Sequence, residues 1–286
     1  MRRRDFLKAG VGVSLGFLGS NAIGKVTDKN KKRPNIVLIM ADDIGFEGIS
    51  AYGSLSYKTP VLDRLAKEGM RFDYCFSQPI CTPSRVEIMT GKYNFRNYTK
   101  FGQLDPKEIT FANLLKDSGY ETLVAGKWQL GGGAEKVAGF GFENHCLWHI
   151  EGRESRFWEP RIMIDGKVKT EEIKDRYGPD VICDYVTDFI KKPKSKPFFV
   201  YYPMTLVHPP YVPTPDSPEG GSRTREGHWG KGGEEYFDDM VAYMDKCIGR
   251  VVDTLEKQGL RDNTLLMFTG DNGCTTNIYS KMPKRT

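Results

Sequence analysis

Cys81-Thr82-Pro83-Ser84-Arg85 places a sulfur nucleophile four residues ahead of a fixed cation. Pro83 suits the first turn of a helix, where its missing N–H costs nothing. Val86, Ile88 and Met89 continue that helix and Gly91 closes it. Cys81 then stands just before a helix N-terminus, where backbone N–H groups and the helix dipole favour an anion. The competing reading of a cysteine in this place is a small buried hydrophobe. Other chemistry-bearing residues share one kind of position, just past an apolar strand. Asp42-Asp43 suits a hard divalent cation, or merely opens a solvated loop. Lys127 is either a solvated lysine or a second cation aimed at the anion that Arg85 faces. His208, in a Pro-rich loop, is a turn residue or a proton-transfer group. Asp271-Asn272 follows the last strand.

The elements that must position these groups are legible in outline. Asn35–Ala41 is a continuous apolar run, as for a strand buried on both faces. Thr59 as N-cap, Pro60 at the first helical position and Gly69 as stop bound a helix. Met70 to Phe76 leads as an extended segment into the Cys81 turn. Residues 110–118 form a helix, and 120–125 a second strand that delivers Gly126-Lys127-Trp128-Gln129. Residues 132–177 read as irregular excursions that set specificity at the site mouth, with His145 and His149 in surface or loop-packing roles. Helices over 179–190 and 233–260, a strand over 197–204, a loop over 211–233 and a strand over 264–268 complete the pattern. Strand alternating with helix predicts an α/β fold with a mostly parallel sheet and helices on both faces. In such sheets ligands bind outside the carboxyl ends of the strands, so Asp42, Asp43, Lys127, His208, Asp271 and Asn272 should meet at one rim.

The 286 residues, 39% hydrophobic and 28% charged, suit a soluble globular protein, its folded part taken as 31–286. A net charge of +5 without a basic stripe interleaved with aromatics argues against a nucleic-acid partner. Residues 1–30 resemble a twin-arginine export signal: Arg2-Arg3-Arg4, a short Gly-rich apolar run, then Ser20-Asn21-Ala22. The expectation is export to the periplasm or outside the cell by the twin-arginine machinery. No Cys-x-x-Cys pair occurs among Cys75, Cys81, Cys146, Cys183, Cys247 and Cys274, which argues against a zinc ribbon or thioredoxin-type site. Cys183 and Cys247 fall on apolar helix faces.

Taken together, these stretches resemble the sulfatase family across about residues 34–273. The resemblance rests on Pro34 to Asp43, the Thr59 to Ala66 helix, Cys81 to Gly91, Gly126-Lys127-Trp128, His208 and Asp271-Asn272-Gly273. It implies a formylglycine- and calcium-dependent sulfuric ester hydrolase with the alkaline-phosphatase-like fold. Cys81 would be oxidised to formylglycine by a formylglycine-generating or anaerobic sulfatase-maturating enzyme. Asp42, Asp43, Asp271 and Asn272 would hold the calcium together with the modified Cys81. Arg85 and Lys127 would neutralise a sulfate on a sugar or aryl alcohol, and His208 would assist the leaving oxygen.

Two departures follow from the same comparison. Gln129 stands where the family commonly has a histidine thought to assist sulfate release, and an amide can hydrogen-bond but not accept a proton near neutral pH. The family also continues past Asp271 with a substrate-facing lysine, more sheet and a small C-terminal domain. The resemblance therefore implies an incomplete catalytic domain with apolar surface left uncovered, Lys281 or Lys284 being the available stand-ins. The alternatives are a pseudo-sulfatase that binds sulfated glycans without turnover, and a phosphoesterase of the wider superfamily.

Overall fold

The computed structural model describes residues 33–150, 155–218, 233–276, 278 and 280–282. The expected export signal over residues 1–30, His228, Lys284 and most of the expected 211–233 loop lie outside the described residues. Seven strands form one sheet: β1 (Asn35–Ala41), β2 (Glu121–Lys127), β3 (Asn144–Trp148), β4 (Ile162–Ile164), β5 (Lys167–Lys169), β6 (Phe198–Pro203) and β7 (Thr264–Gly270). Their order is β5-β4-β3-β2-β6-β1-β7. β3, β2, β6, β1 and β7 run parallel, while β4 and β5 are antiparallel additions beyond β3. The mostly parallel sheet is as expected.

The helices are α1 (Pro60–Glu68), α2 (Cys81–Thr90), α3 (Asn94–Asn97), α4 (Phe111–Asp117), α5 (Ala134–Gly139), α6 (Gly178–Lys191) and α7 (Phe237–Lys257). Successive strand residues supply opposite faces. Val37, Ile39 and Ala41 of β1 pack with apolar residues of α1, α6 and α7. Leu38 and Met40 of the same strand pack with Val86 and Met89 of α2, Ala112 of α4 and Val137 of α5. This two-sided burial is why β1 reads as an unbroken apolar run. Cys183 and Cys247 lie in the first core, as expected.

Several local expectations are corrected. The 132–177 stretch is not wholly irregular: it holds α5, β3, β4 and β5. A two-residue Asp165-Gly166 turn joins β4 to β5, both residues at positive φ (45° and 81°), as a type I′ hairpin requires. His145 is neither a surface nor a loop residue. It is buried in β3, and its Nε2 accepts the Gly166 N–H at 2.8 Å. Thr59 precedes α1 but does not cap it; its hydroxyl accepts the Ser50 N–H instead. The first free N–H groups of α1, from Val61 and Leu62, donate to the Asp245 carboxylate of α7 at 2.8 and 3.0 Å. Residues 70–76 pair in no strand and leave Phe72, Tyr74 and Phe76 exposed.

Candidate active site

The carboxyl ends of β2, β6, β1 and β7, four adjacent strands, carry the candidate residues. Backbone pairing continues one step past the strands and sets their register. The Asp42 N–H donates to Leu206 O and the Asp42 carbonyl accepts from Val207, each at 2.8 Å; the Asp271 N–H donates to Ala41 O at 3.1 Å. At β2 the chain can come close only because residue 126 is glycine. Its φ is 130°, and a Cβ there would lie 1.8 Å from the Pro203 carbonyl oxygen. Lys127, the next residue, thereby reaches the centre of the rim.

That centre is the buried Asp42 carboxylate. Oδ1 accepts from Lys127 Nζ at 2.6 Å and from Arg85 Nη2 at 3.2 Å. Oδ2 accepts from Lys127 Nζ at 2.8 Å and from Arg156 Nη1 at 3.4 Å. Burial alone would raise the Asp42 pKa, but Lys127, His208, Arg85 and Arg156 hold the carboxyl well below the usual range. Arg85 also donates through Nε and Nη2 to Asp271 Oδ2, at 3.1 and 2.8 Å. Burial disfavours its charge, yet Asp271 and Asp42 raise its pKa beyond the ordinary value. Asp271 itself is pushed up to about 7, with burial the largest cause.

Asp43 and Asn272 close the group. The Asp43 N–H donates to Asp271 Oδ1 at 3.0 Å, and Asn272 Nδ2 donates to Asp43 Oδ1 at 2.6 Å. Asn272 Oδ1 is buried and accepts no hydrogen bond among the described residues. Carboxylate and amide oxygens are the donor set of a hard cation. An orphaned amide oxygen beside three carboxylates is what such an ion would satisfy, so these residues fit the calcium that the family resemblance implies. His208 Nε2 lies 3.5 Å from Asp43 Oδ2. Its Nδ1 is 2.6 Å from the Pro209 carbonyl, which can only accept, so Nδ1 carries the hydrogen and Nε2 is the atom that exchanges a proton. Burial lowers the His208 pKa, with Arg156 and Lys127 adding to that effect and Asp42 opposing it.

Cys81 is the first residue of α2 rather than the one before it, and is buried at 6% exposure. Arg85, four residues on in the same helix, ties it to the cluster. Gln129 is buried just past β2, with Oε1 accepting no hydrogen bond. Its N–H donates to His149 O at 3.3 Å. Asp43, Gln129 and His149 all have positive φ, at 56°, 53° and 63°. Such strain, beyond β1, β2 and β3, gathers where a site fixes its side chains. Lys281 is exposed, and its backbone pairs with Leu55 and Ser56. The sequence reading missed Arg156. It lies on a connection and reaches Asp42 only through tertiary contact, and no spacing announces it.

A family model described as Sulfatase matches residues 34–283. The N-acetylgalactosamine-6-O-sulfatase of Bacteroides thetaiotaomicron is 28% identical over 92% of this chain and 63% of its own. Arylsulfatase A of Bos taurus is 31% identical over 85% of this chain and 52% of its own. A protein solved in complex with its substrate D-glucosamine-2-N,6-O-disulfate superposes with a TM-score of 0.70 at 25% identity, covering 85% of this chain and 66% of that one. The chain spans less than two-thirds of the length of the curated relatives it matches.

Proposed function

Because this chain belongs to the sulfatase family, we propose that it hydrolyses the sulfate ester of a sugar or aryl alcohol. The observation that carries this reading is the Asp42 carboxylate shared by Lys127, Arg85 and Arg156, beside a buried Cys81 at a helix N-terminus. Sulfated amino sugars are the first substrates to try, since relatives carry N-acetylgalactosamine- and N-acetylglucosamine-6-O-sulfatase names.

Two groups complete the chemistry. Cys81 converted to formylglycine would supply a hydrated aldehyde as nucleophile, and calcium held by Asp42, Asp43, Asp271 and Asn272 would polarise the sulfate. Around them the chain's own residues have separable tasks. Lys127 and Arg85, both buried, offset charge on the sulfate oxygens. His208, protonated at Nε2, gives its proton to the leaving oxygen. Gln129 offers an amide oxygen that accepts from a substrate hydroxyl or N–H. A maturation enzyme acting on Cys81 and passage through the twin-arginine export machinery to the periplasm belong to the same reading, supported by the Cys81 to Arg85 motif and by Arg2-Arg3-Arg4.

Protein produced with a sulfatase-maturating enzyme should carry an aldehyde at position 81 by mass spectrometry. It should release sulfate from a 6-O-sulfated amino sugar or a chromogenic aryl sulfate, and Cys81→Ala should abolish that release. Full activity with an unmodified Cys81 thiol would overturn the mechanism. Binding of sulfated glycans by the modified protein, with no turnover, would favour the pseudo-enzyme.

A further inference from the structure

Arg156 is an expensive residue to keep where it is. Only 5% of it is exposed, and burial disfavours its charge even with Asp42 beside it. Taking a guanidinium out of water is costly even when a carboxylate faces it, so a buried ion pair is by itself weak evidence of a stabilising role. Asp42 does not require it: Lys127 and Arg85 already contact that carboxylate, and both Lys127 contacts are shorter than the 3.4 Å to Arg156. Three cations, Lys127, Arg85 and Arg156, thus converge on Asp42, a concentration of positive charge that suits an incoming anion.

The guanidinium is held for such a task. Its central carbon lies 3.9 Å from the ring centroid of Trp148, the last residue of β3, so its plane is clamped at the rim. The backbone is fixed from the other side. The first residue of α6, Gly178, donates its N–H to Phe157 O at 2.6 Å. A Cβ on Gly178 would lie 2.0 Å from the Arg156 carbonyl oxygen, so only glycine lets the two segments meet. Trp158 Nε1 donates to Pro213 O at 2.7 Å and pins the same loop to the segment after β6. A planar fork fixed in this way matches the oxygens of a tetrahedral anion.

We propose that Arg156 contacts a non-bridging oxygen of the substrate's sulfate group, as a third cation beside Lys127 and Arg85. This rests on the sulfate-ester reading above, and the test separates the two. Inorganic sulfate and inorganic phosphate are titrated calorimetrically into the full matured chain and into Arg156→Met, Arg156→Gln and Arg156→Lys. Kinetics on an aryl sulfate run in parallel. Loss of a hydrogen-bonded charge should weaken sulfate binding and raise KM by about tenfold or more in the Met and Gln variants, with a smaller fall in kcat. Lysine should restore part of the affinity, and Arg64→Met, an exposed cation paired with Glu256, should change neither. Near-UV circular dichroism identifies which variants are folded. A folded Met or Gln variant with sulfate affinity and KM within twofold of the parent overturns the proposal. A parent that turns over no sulfate ester, yet binds phosphate through Arg156, sinks the sulfatase reading and leaves Arg156 as an anion contact.

Discussion

Arg85 shows how one side chain ties the site to the fold. It sits on α2 four residues after Cys81, is 1% exposed, and bonds to Asp271 beyond β7, Asp42 beyond β1 and the Lys127 carbonyl at the end of β2. Removing one member of a buried ion pair leaves its partners charged and unmatched. Arg85→Met should therefore destabilise the protein by about 3–5 kcal/mol, measured as a shift in the urea midpoint at unchanged slope. Lysine at this position keeps the charge but loses the fork to Asp271 Oδ2, so it should recover only part of that loss. The residues of this network that sit just past strands were readable from order alone, since adjacent acids, a lysine and a histidine each follow an apolar run. Arg156 was not readable, because its route into the network is a stacking contact with Trp148 and a tight passage beside Gly178.

Among the elements, the β3 to β5 edge has a built-in sensitivity to acid. The His145 Nε2 accepts the Gly166 N–H, while the Asp165 carboxylate accepts the His145 backbone N–H at 3.0 Å, so one residue holds the hairpin turn against β3 and the imidazole supplies one of the two bonds. An imidazolium cannot accept that bond. Burial lowers the His145 pKa from 6.5 in the native state. The neutral ring's contribution is thus complete above pH 6.5 and is lost as pH falls through the lower native value. Unfolding midpoints taken from pH ~7.5 to ~5 should fall more steeply for the parent than for His145→Gln, whose amide oxygen still accepts. These strands also mark the limit of pattern reading. β1, α1, α2 and α4 could be bounded because Pro, Gly and period punctuate them. β4 and β5 are three residues each and exist through pairing, so hydrophobic period has nothing to count. Asp165-Gly166 was the available signal for their hairpin.

At the scale of the whole molecule, six distant segments, those of Asp42, Arg85, Lys127, Arg156, His208 and Asp271, meet in one charge cluster, so ligand binding and global stability are coupled. Calcium bound to the native cluster and not to the unfolded chain should raise stability by roughly 2.7 kcal/mol at a hundredfold excess over its dissociation constant. Thermal unfolding with calcium and with chelator reads this directly, and Asn272→Ala, which deletes the orphaned amide oxygen, should shrink the difference. Failure of calcium to move the parent's transition would remove the metal from the proposed site. The same topology sets a timetable. Arg85 and Asp271 are 186 residues apart in the chain yet bonded in the fold. At the usual pace of ~5–20 residues per second, roughly 10–40 s of synthesis separate the two. Until Asp271 emerges and β7 docks on β1, the helix bearing Cys81 has no final place to settle. The Cys81 side chain, buried in the folded protein, is thus within reach of solution chemistry until that later segment arrives, and the ribosome keeps the clock.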